Sequence, residues 1–169
     1  MDIASNRVKK GYVMMFDVLG FKEFVSKRKD VDFFEIWSQI RKSLIEKKVE
    51  LEEQSSLLDI DVLCLSDTLI VCMSFKNKTK LDPRLLLGLL PKLIDTFFHF
   101  RFMEGIFFRG AISFGEYRCD MLNNIAMGNA IDEAYEWHEL TDWIGVILSP
   151  SAEFAYEKYK LDPSKIRMQ

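Results

Sequence analysis

Apolar residues along the chain fall into short continuous runs and into longer stripes with helical spacing. Residues 12–16 form one continuous apolar run that ends at Asp17, which is typical of a buried strand covered on both faces. Gly20 follows and permits a tight turn into a helix that begins near Phe21. We predict that the rest of the chain is organised around this strand and its terminal carboxylate.

The rest of the pattern predicts an order of β-α-α-β-β-α-β-β-α-β-α. The further strands are predicted at residues 58–64, 69–73, 106–115, 117–119 and 143–148, and the further helices at residues 33–53, 83–100, 129–139 and 150–159. Asn129 is predicted to cap the helix that follows it. We expect an α+β domain with helices packed on a sheet, formed by residues 1–169, with residues 1–10 as a flexible lead-in.

Composition narrows the class of protein. The 169 residues suit one domain, and 49% hydrophobic with 29% charged residues is ordinary for a globular protein. A net charge of −3 provides no basic field for nucleic acid or anionic lipid. Charged residues interrupt the most apolar stretch, residues 85–102, and the N-terminus lacks an apolar signal region. We therefore expect a cytoplasmic protein that does not span a membrane.

The cysteines and histidines do not indicate a metal site or a catalytic pair. The three cysteines, Cys64, Cys72 and Cys119, have no metal-binding spacing and are interpreted as small core residues. The two histidines, His99 and His138, are too far apart in sequence to suggest a pair, and His138 is predicted to lie on a helix surface.

Two aspartates are the candidates for chemistry. Asp17 ends the first predicted strand, and Asp67 lies at the tip of the hairpin between the next two. If these strands are neighbours, the two carboxylates converge and repel, and an Mg²⁺ or Mn²⁺ ion would relieve the repulsion. Such ions also bridge triphosphate oxygens. The alternative, given equal weight, is that both aspartates only cap turns.

Four segments resemble, in order and spacing, the motifs of class III nucleotide cyclases. Residues 16–21 (Phe-Asp-Val-Leu-Gly-Phe) resemble the first metal motif of that class, and Leu65-Ser-Asp67 falls where its second metal aspartate lies. Residues 109–115 resemble the Arg-Ile-Gly-Ile-His-x-Gly strand, and residues 128–136 the Gly-x-x-Val-Asn-x-Ala-x-Arg helix. Within that class, the sequences of these segments are most similar to the pyrimidine cyclases of bacterial Pycsar antiphage systems, which make cyclic UMP or cyclic CMP.

The resemblance implies a cyclase-like, ferredoxin-like or palm-type sheet and a head-to-tail homodimer with nucleotide at the interface. Asp17, Asp67 and the Val18 carbonyl would bind two Mn²⁺ or Mg²⁺ ions per site, and Arg109 would stabilise phosphate charge. The turn at Leu19, Gly20, Phe21 and Lys22 would hold phosphate. The expected reaction converts UTP, or less favourably CTP, to the 3′,5′-cyclic monophosphate and pyrophosphate, as a signal in antiphage defence.

The chain also departs from that class. The positions that read a purine base fall on Leu63 and Ile125, which cannot make a base-specific hydrogen bond. The transition-state asparagine and arginine fall on Asp132 and Glu136, whose acidic groups cannot stabilise developing phosphate charge. Arg109 then becomes the candidate donor, although it can equally be a structural arginine, and Lys22 can equally be a solvated helix residue.

Three further alternatives follow from these departures. The final strand pair of the class, with its triphosphate lysine, has no counterpart after residues 165–167, so we expect either a short version or a truncated one. An inactive cyclase-like domain that binds nucleotide or a partner is the first rival to the enzyme. Another metal-dependent nucleotidyl transferase on a palm-like fold is the second.

Overall fold

The computed structural model describes residues 7–27, 32–76, 83–95 and 105–158. Its strands are β1 (Lys9–Val18), β2 (Leu58–Leu65), β3 (Thr68–Phe75), β4 (Phe108–Asp120), β5 (Ile125–Met127) and β6 (Gly145–Leu148). Its helices are α1 (Phe21–Lys27), α2 (Phe33–Gln54), α3 (Arg84–Leu87), α4 (Asn129–Glu139) and α5 (Pro150–Lys158), and residues 90–95 are also helical.

The central strand of the sheet is β1, which confirms its predicted position at the centre of the fold. It runs antiparallel to β3 on one side and to β4 on the other, in the order β2-β3-β1-β4-β5. The short strand β6 joins β4 in parallel. Because most of the pairs are antiparallel and helices cover the sheet, the predicted α+β class is confirmed.

The two faces of the sheet are covered by different helices, and the side chains of β1 alternate between them. Tyr12, Met14 and Phe16 belong to the larger core cluster, which also includes side chains of α2 and α3. Val13 and Met15 point to the other side, into a second cluster with residues 130, 131 and 134 of α4. We call this second side the α4 face.

The chain beyond the sheet centre curls back over the α4 face. Tyr117 of β4 is the last residue paired with β1, and β4 then continues to Asp120 and turns into β5. The turn reaches β2, where the Val62 N–H lies 3.3 Å from the Met121 Sδ and Asn124 Nδ2 donates to the Cys64 carbonyl over 3.4 Å. The β4–β5 hairpin therefore lies across the sheet rather than extending it.

Side chains protect the free edge of β2. The Ile60 N–H donates to Glu52 Oε1 over 2.8 Å, and Lys48 Nζ donates to the Ile60 carbonyl. Both partners come from α2. An unpaired strand edge invites pairing with another chain, and these bonds occupy the groups that such pairing would use.

Several predicted boundaries are wrong. Residues 106–115 and 117–119 are one strand, because Gly115 continues the ladder opposite Gly11 instead of interrupting it. Lys9 and Lys10 belong to β1 rather than to a flexible lead-in, and residues 1–6 lie outside the described residues. Gly128, not Asn129, caps α4.

The predicted helix over residues 83–100 is also wrong as a single element. It is interrupted after α3, at residues 88–89, and residues 96–100 lie outside the described part of the chain, as does His99. Within the described residues, no helix is both long enough and apolar enough to cross a membrane.

Candidate functional site

Asp17 is the penultimate residue of β1, and the alternation of the strand directs its side chain to the α4 face. Across the ladder it is opposite Thr68 of β3 on one side and Arg109 of β4 on the other. Its side chain is only 16% exposed. The Asp17 carboxylate therefore lies on β1 between β3 and β4.

Asp67 lies beside it because the β2–β3 turn ends there. Leu65 and Thr68 are paired, so Ser66 and Asp67 form a two-residue hairpin turn, in which Ser66 has a positive φ of 56°. Since Thr68 is opposite Asp17, its neighbour Asp67 comes close to Asp17. Burial first, and then the negative charge of Asp67, raise the pKa of Asp17.

Arg109 contacts one of these two carboxylates. Its Nη2 lies 3.2 Å and its Nε 3.4 Å from Asp17 Oδ2, so both bonds end on the same oxygen. Its Nη1 donates to the Thr141 carbonyl over 3.4 Å. The guanidinium lowers the pKa of Asp17, but burial and Asp67 outweigh it. Within the described residues Asp67 has no ion pair, so the site keeps an excess of negative charge.

His138 and Thr141 complete the site from α4 and the residues after it, and sequence reasoning missed both. His138 is 4% exposed, so its predicted place on a helix surface is wrong. Its charge contributes to lowering the pKa of Asp17, and its Nδ1 hydrogen-bonds the Tyr135 carbonyl. The signal was present in the sequence, since His138 falls four residues after Ala134 on the buried side of α4.

The turn between β1 and α1 has fewer free donors than the sequence suggested. Gly20 has a φ of +70°, a conformation that favours glycine. The Leu19 N–H already donates to the Phe107 carbonyl over 2.8 Å, which leaves the amides of Gly20, Phe21 and Lys22 for a phosphate. The Lys22 side chain is exposed, and the Val18 side chain is buried in the core.

The remaining positions named from the resemblance do not join this group. Leu63 is 1% exposed and is part of the core beneath α4. Asp132 and Glu136 lie on the exposed side of α4, away from its buried residues. Ile125 is 47% exposed on β5. The structure therefore brings together Asp17, Asp67 and Arg109, and adds His138 and Thr141.

The site offers few protein ligands to a divalent cation. Among the described residues, no group of three or more histidine, cysteine, aspartate or glutamate side chains could hold a metal. Two carboxylates remain, and the pKa of Asp17 is raised first by burial and then by the negative charge of Asp67. Mg²⁺ is commonly bound by one or two carboxylates, with water and substrate phosphates as its other ligands. The residues present therefore fit a cation that arrives with a nucleotide.

Comparison with known proteins gives no family for the chain: no protein-family model and no curated protein matches it.

Proposed function

We propose that this protein is a class III-type nucleotide cyclase that acts on a pyrimidine nucleoside triphosphate, with UTP favoured over CTP. The product would be the 3′,5′-cyclic monophosphate, released with pyrophosphate, as a signal in antiphage defence. A head-to-tail homodimer would bind the nucleotide between its subunits in the cytoplasm.

The convergence of Asp17 and Asp67 is the observation that supports this proposal. The two residues are 50 positions apart in sequence, yet Asp17 is paired with Thr68, the neighbour of Asp67, and the charge of Asp67 adds to burial in raising the pKa of Asp17. Burial and mutual repulsion make such a carboxylate pair costly to the fold. Titratable groups perturbed in this way cluster at functional sites. The order β1, α1, α2, β2, β3 also agrees with the order of motifs in the cyclase resemblance.

Each residue would have a distinct role. Three groups would hold the cation: the Asp17 oxygen that Arg109 does not contact, the Asp67 carboxylate and the Val18 carbonyl. When bound, the cation would help deprotonate the ribose 3′-hydroxyl and neutralise charge on the pyrophosphate. Arg109 would donate to phosphate oxygens as the 3′-oxygen attacks the α-phosphorus. The amides from Gly20 to Lys22 would orient the terminal phosphates. The Thr141 carbonyl, which accepts a hydrogen bond from Arg109, would hold the guanidinium in place.

The direct test is incubation of the purified full chain with each of the four ribonucleoside triphosphates and Mn²⁺, followed by mass spectrometry of the products. We expect cyclic UMP and pyrophosphate. Asp17→Asn and Asp67→Asn preserve side-chain shape, and each should reduce the rate at least about 100-fold. Glu46→Gln, which changes an exposed acid on α2, is the matched control and should leave the rate unchanged. A linear dinucleotide product would instead identify a nucleotidyl transferase.

An inactive nucleotide-binding domain is the alternative that one observation favours. Arg109, the only donor proposed for the transition state, is already engaged with Asp17 and the Thr141 carbonyl. If no triphosphate gives a cyclic product, but UTP with Mn²⁺ raises the melting temperature of the wild type and not of Asp17→Asn, this alternative replaces the enzyme. If neither occurs, both proposals fail.

A further inference from the structure

We propose that Cys72 and Cys119 form an oxidative modification site, at which a low-molecular-weight disulfide oxidises the two thiols to an intramolecular disulfide that fixes the β4–β5 hairpin to the sheet. This inference does not depend on the proposed enzymatic activity. It concerns a pair of thiols on the α4 face, in the second core cluster, that the candidate site does not use.

The geometry places two free thiols in contact across layers of the fold. The Sγ atoms of Cys72 and Cys119 are 3.4 Å apart, and the two residues are 47 positions apart in sequence. Cys72 is on β3 and Cys119 on β4, and these strands are not neighbours because β1 lies between them. Only the curl of β4 beyond Tyr117 brings the sulfurs together, so a bond between them would fix that curl.

The third cysteine, Cys64, lies too far from the other two to form a disulfide with either of them in the native fold. Cys64 is half-buried and packs against the larger core cluster on the opposite face of the sheet. It borders a cavity of about 310 Å³ that Arg41 and Asn124 also line. A disulfide from Cys64 to either other thiol would require β2 to be displaced, so the pairing is determined by the fold.

Burial makes the reaction conditional on a local opening. Cys72 and Cys119 are 0% and 3% exposed, and burial together with the neighbouring Cys119 raises the pKa of Cys72. Asp61 also raises it and Lys9 lowers it. A buried, protonated thiol reacts slowly. The hairpin is able to open locally, because β5 makes only three residue pairs with β4 and Leu122 at its tip is 94% exposed.

The chemistry balances with one equivalent of oxidised glutathione. When the hairpin opens, the Cys119 thiol loses its proton to solvent and attacks one glutathione sulfur, which releases one reduced glutathione and leaves a mixed disulfide. As the hairpin closes, Cys72 loses its proton, attacks the Cys119 sulfur and expels the second reduced glutathione. Two protein thiols are oxidised, and one disulfide is reduced to two thiols.

The test treats the reduced full chain with excess oxidised glutathione, blocks remaining thiols and maps the peptides by mass spectrometry. We expect one cross-linked peptide pair, Cys72 with Cys119, and a monomer lighter by two hydrogen atoms. The pair should also form in Cys64→Ala and disappear in Cys119→Ala. Amide hydrogen exchange in the hairpin should slow about tenfold or more on oxidation and return on reduction.

Other results would overturn the proposal. A cross-link through Cys64, a bond between two chains, or a stable mixed disulfide on Cys119 would show that the two thiols do not meet. A cross-link that forms only in denaturant would show that the native hairpin does not open. If Cys119→Ala fails to fold, the position of the cross-link in the wild type and in Cys64→Ala still decides the question.

Discussion

At each end of β1 on the α4 face, two carboxylates lie near one lysine or arginine side chain. At the start of the strand, Lys9 Nζ lies 2.7 Å from Asp61 Oδ2 and 3.0 Å from Asp59 Oδ2. At the other end, Arg109 contacts Asp17 alone, at 3.2 Å. Lys9 therefore contacts both carboxylates of its group, whereas Arg109 contacts only one of the two at its end.

The pKa shifts of the aspartates do not separate the two ends, because burial raises the pKa of Asp61 despite Lys9, as it raises that of Asp17 despite Arg109. Burial lowers the pKa of Lys9, but its hydrogen bonds and charge interactions with Asp61 and Asp59 outweigh burial and raise it overall. The pKa of Asp17 is raised despite its arginine, because burial and Asp67 act in the other direction. The two ends thus differ in the contacts of the basic side chain and not in net charge. Lys9 contacts both of its carboxylates and closes the ion-pair cluster, whereas of its two carboxylates Arg109 contacts only Asp17 and leaves a group able to accept a further cation.

The largest effect is expected from Lys9→Met. The substitution leaves Asp59 and Asp61 without their shared cation, and Asp61 is 7% exposed, so the free energy of unfolding should fall by about 3 kcal/mol. Urea unfolding measures the change. Lys10→Met is the matched control and should cost about 1 kcal/mol at most, because the exposed Lys10 ammonium lies over the Phe114 ring and has no ion pair among the described residues. Equal costs for the two variants would show that the Lys9 cluster is not a stabilising unit.

A smaller loss, about 1 kcal/mol, is expected from Arg109→Met, because the Asp17 side chain is 16% exposed and water still reaches part of its carboxylate. Mn²⁺ should then raise the melting temperature of this variant more than that of the wild type, since the guanidinium no longer shares Asp17. Arg118→Met, an exposed position on the same strand, should change neither property. A cost as large as that of Lys9→Met would mean that the two ends of β1 are alike.

These two ends also differ in how far the sequence could predict them. Asp17 and Asp67 were identifiable because each interrupts apolar sequence at a strand end or hairpin tip. The Lys9 cluster was not, since residues 1–10 have no apolar periodicity and the partners of Lys9 are about 50 residues away. Only the register of β1 with β3, and of β3 with β2, brings them together.

The pairing of Arg109 with Asp17 and Thr141 was out of reach for the same reason. It depends on the register between β1 and β4, 92 residues apart, which local patterns do not determine. The curl of β4 was also missed, because residues 106–115 and 117–119 were predicted as separate strands, whereas Gly115 continues the ladder opposite Gly11 and packs close to Ala130. Elements were thus predictable from local patterns, and contacts between distant elements were not.

The smallest effect is expected from Asp17→Asn, and it has the opposite sign. Because the pKa of Asp17 is higher in the folded than in the unfolded chain, the folded state loses stability as pH rises from about 3.8 through that raised pKa. Above that raised pKa the aspartate is charged in both states and the penalty is present, and asparagine removes it. Water still reaches part of the carboxylate, so the gain should be only about 0.5 kcal/mol.

The pH dependence of this gain separates it from a general effect of the substitution. Below pH 3.8 the aspartate is protonated in both states, so Asp17→Asn and the wild type should have the same stability. Asp59→Asn, at the closed end of β1, should instead destabilise at neutral pH, because it removes a contact of Lys9. Urea unfolding of the three proteins between acid and neutral pH measures this. A loss of stability in Asp17→Asn at neutral pH would show that Arg109 balances Asp17 fully, and the open end of β1 would then be as closed as the other.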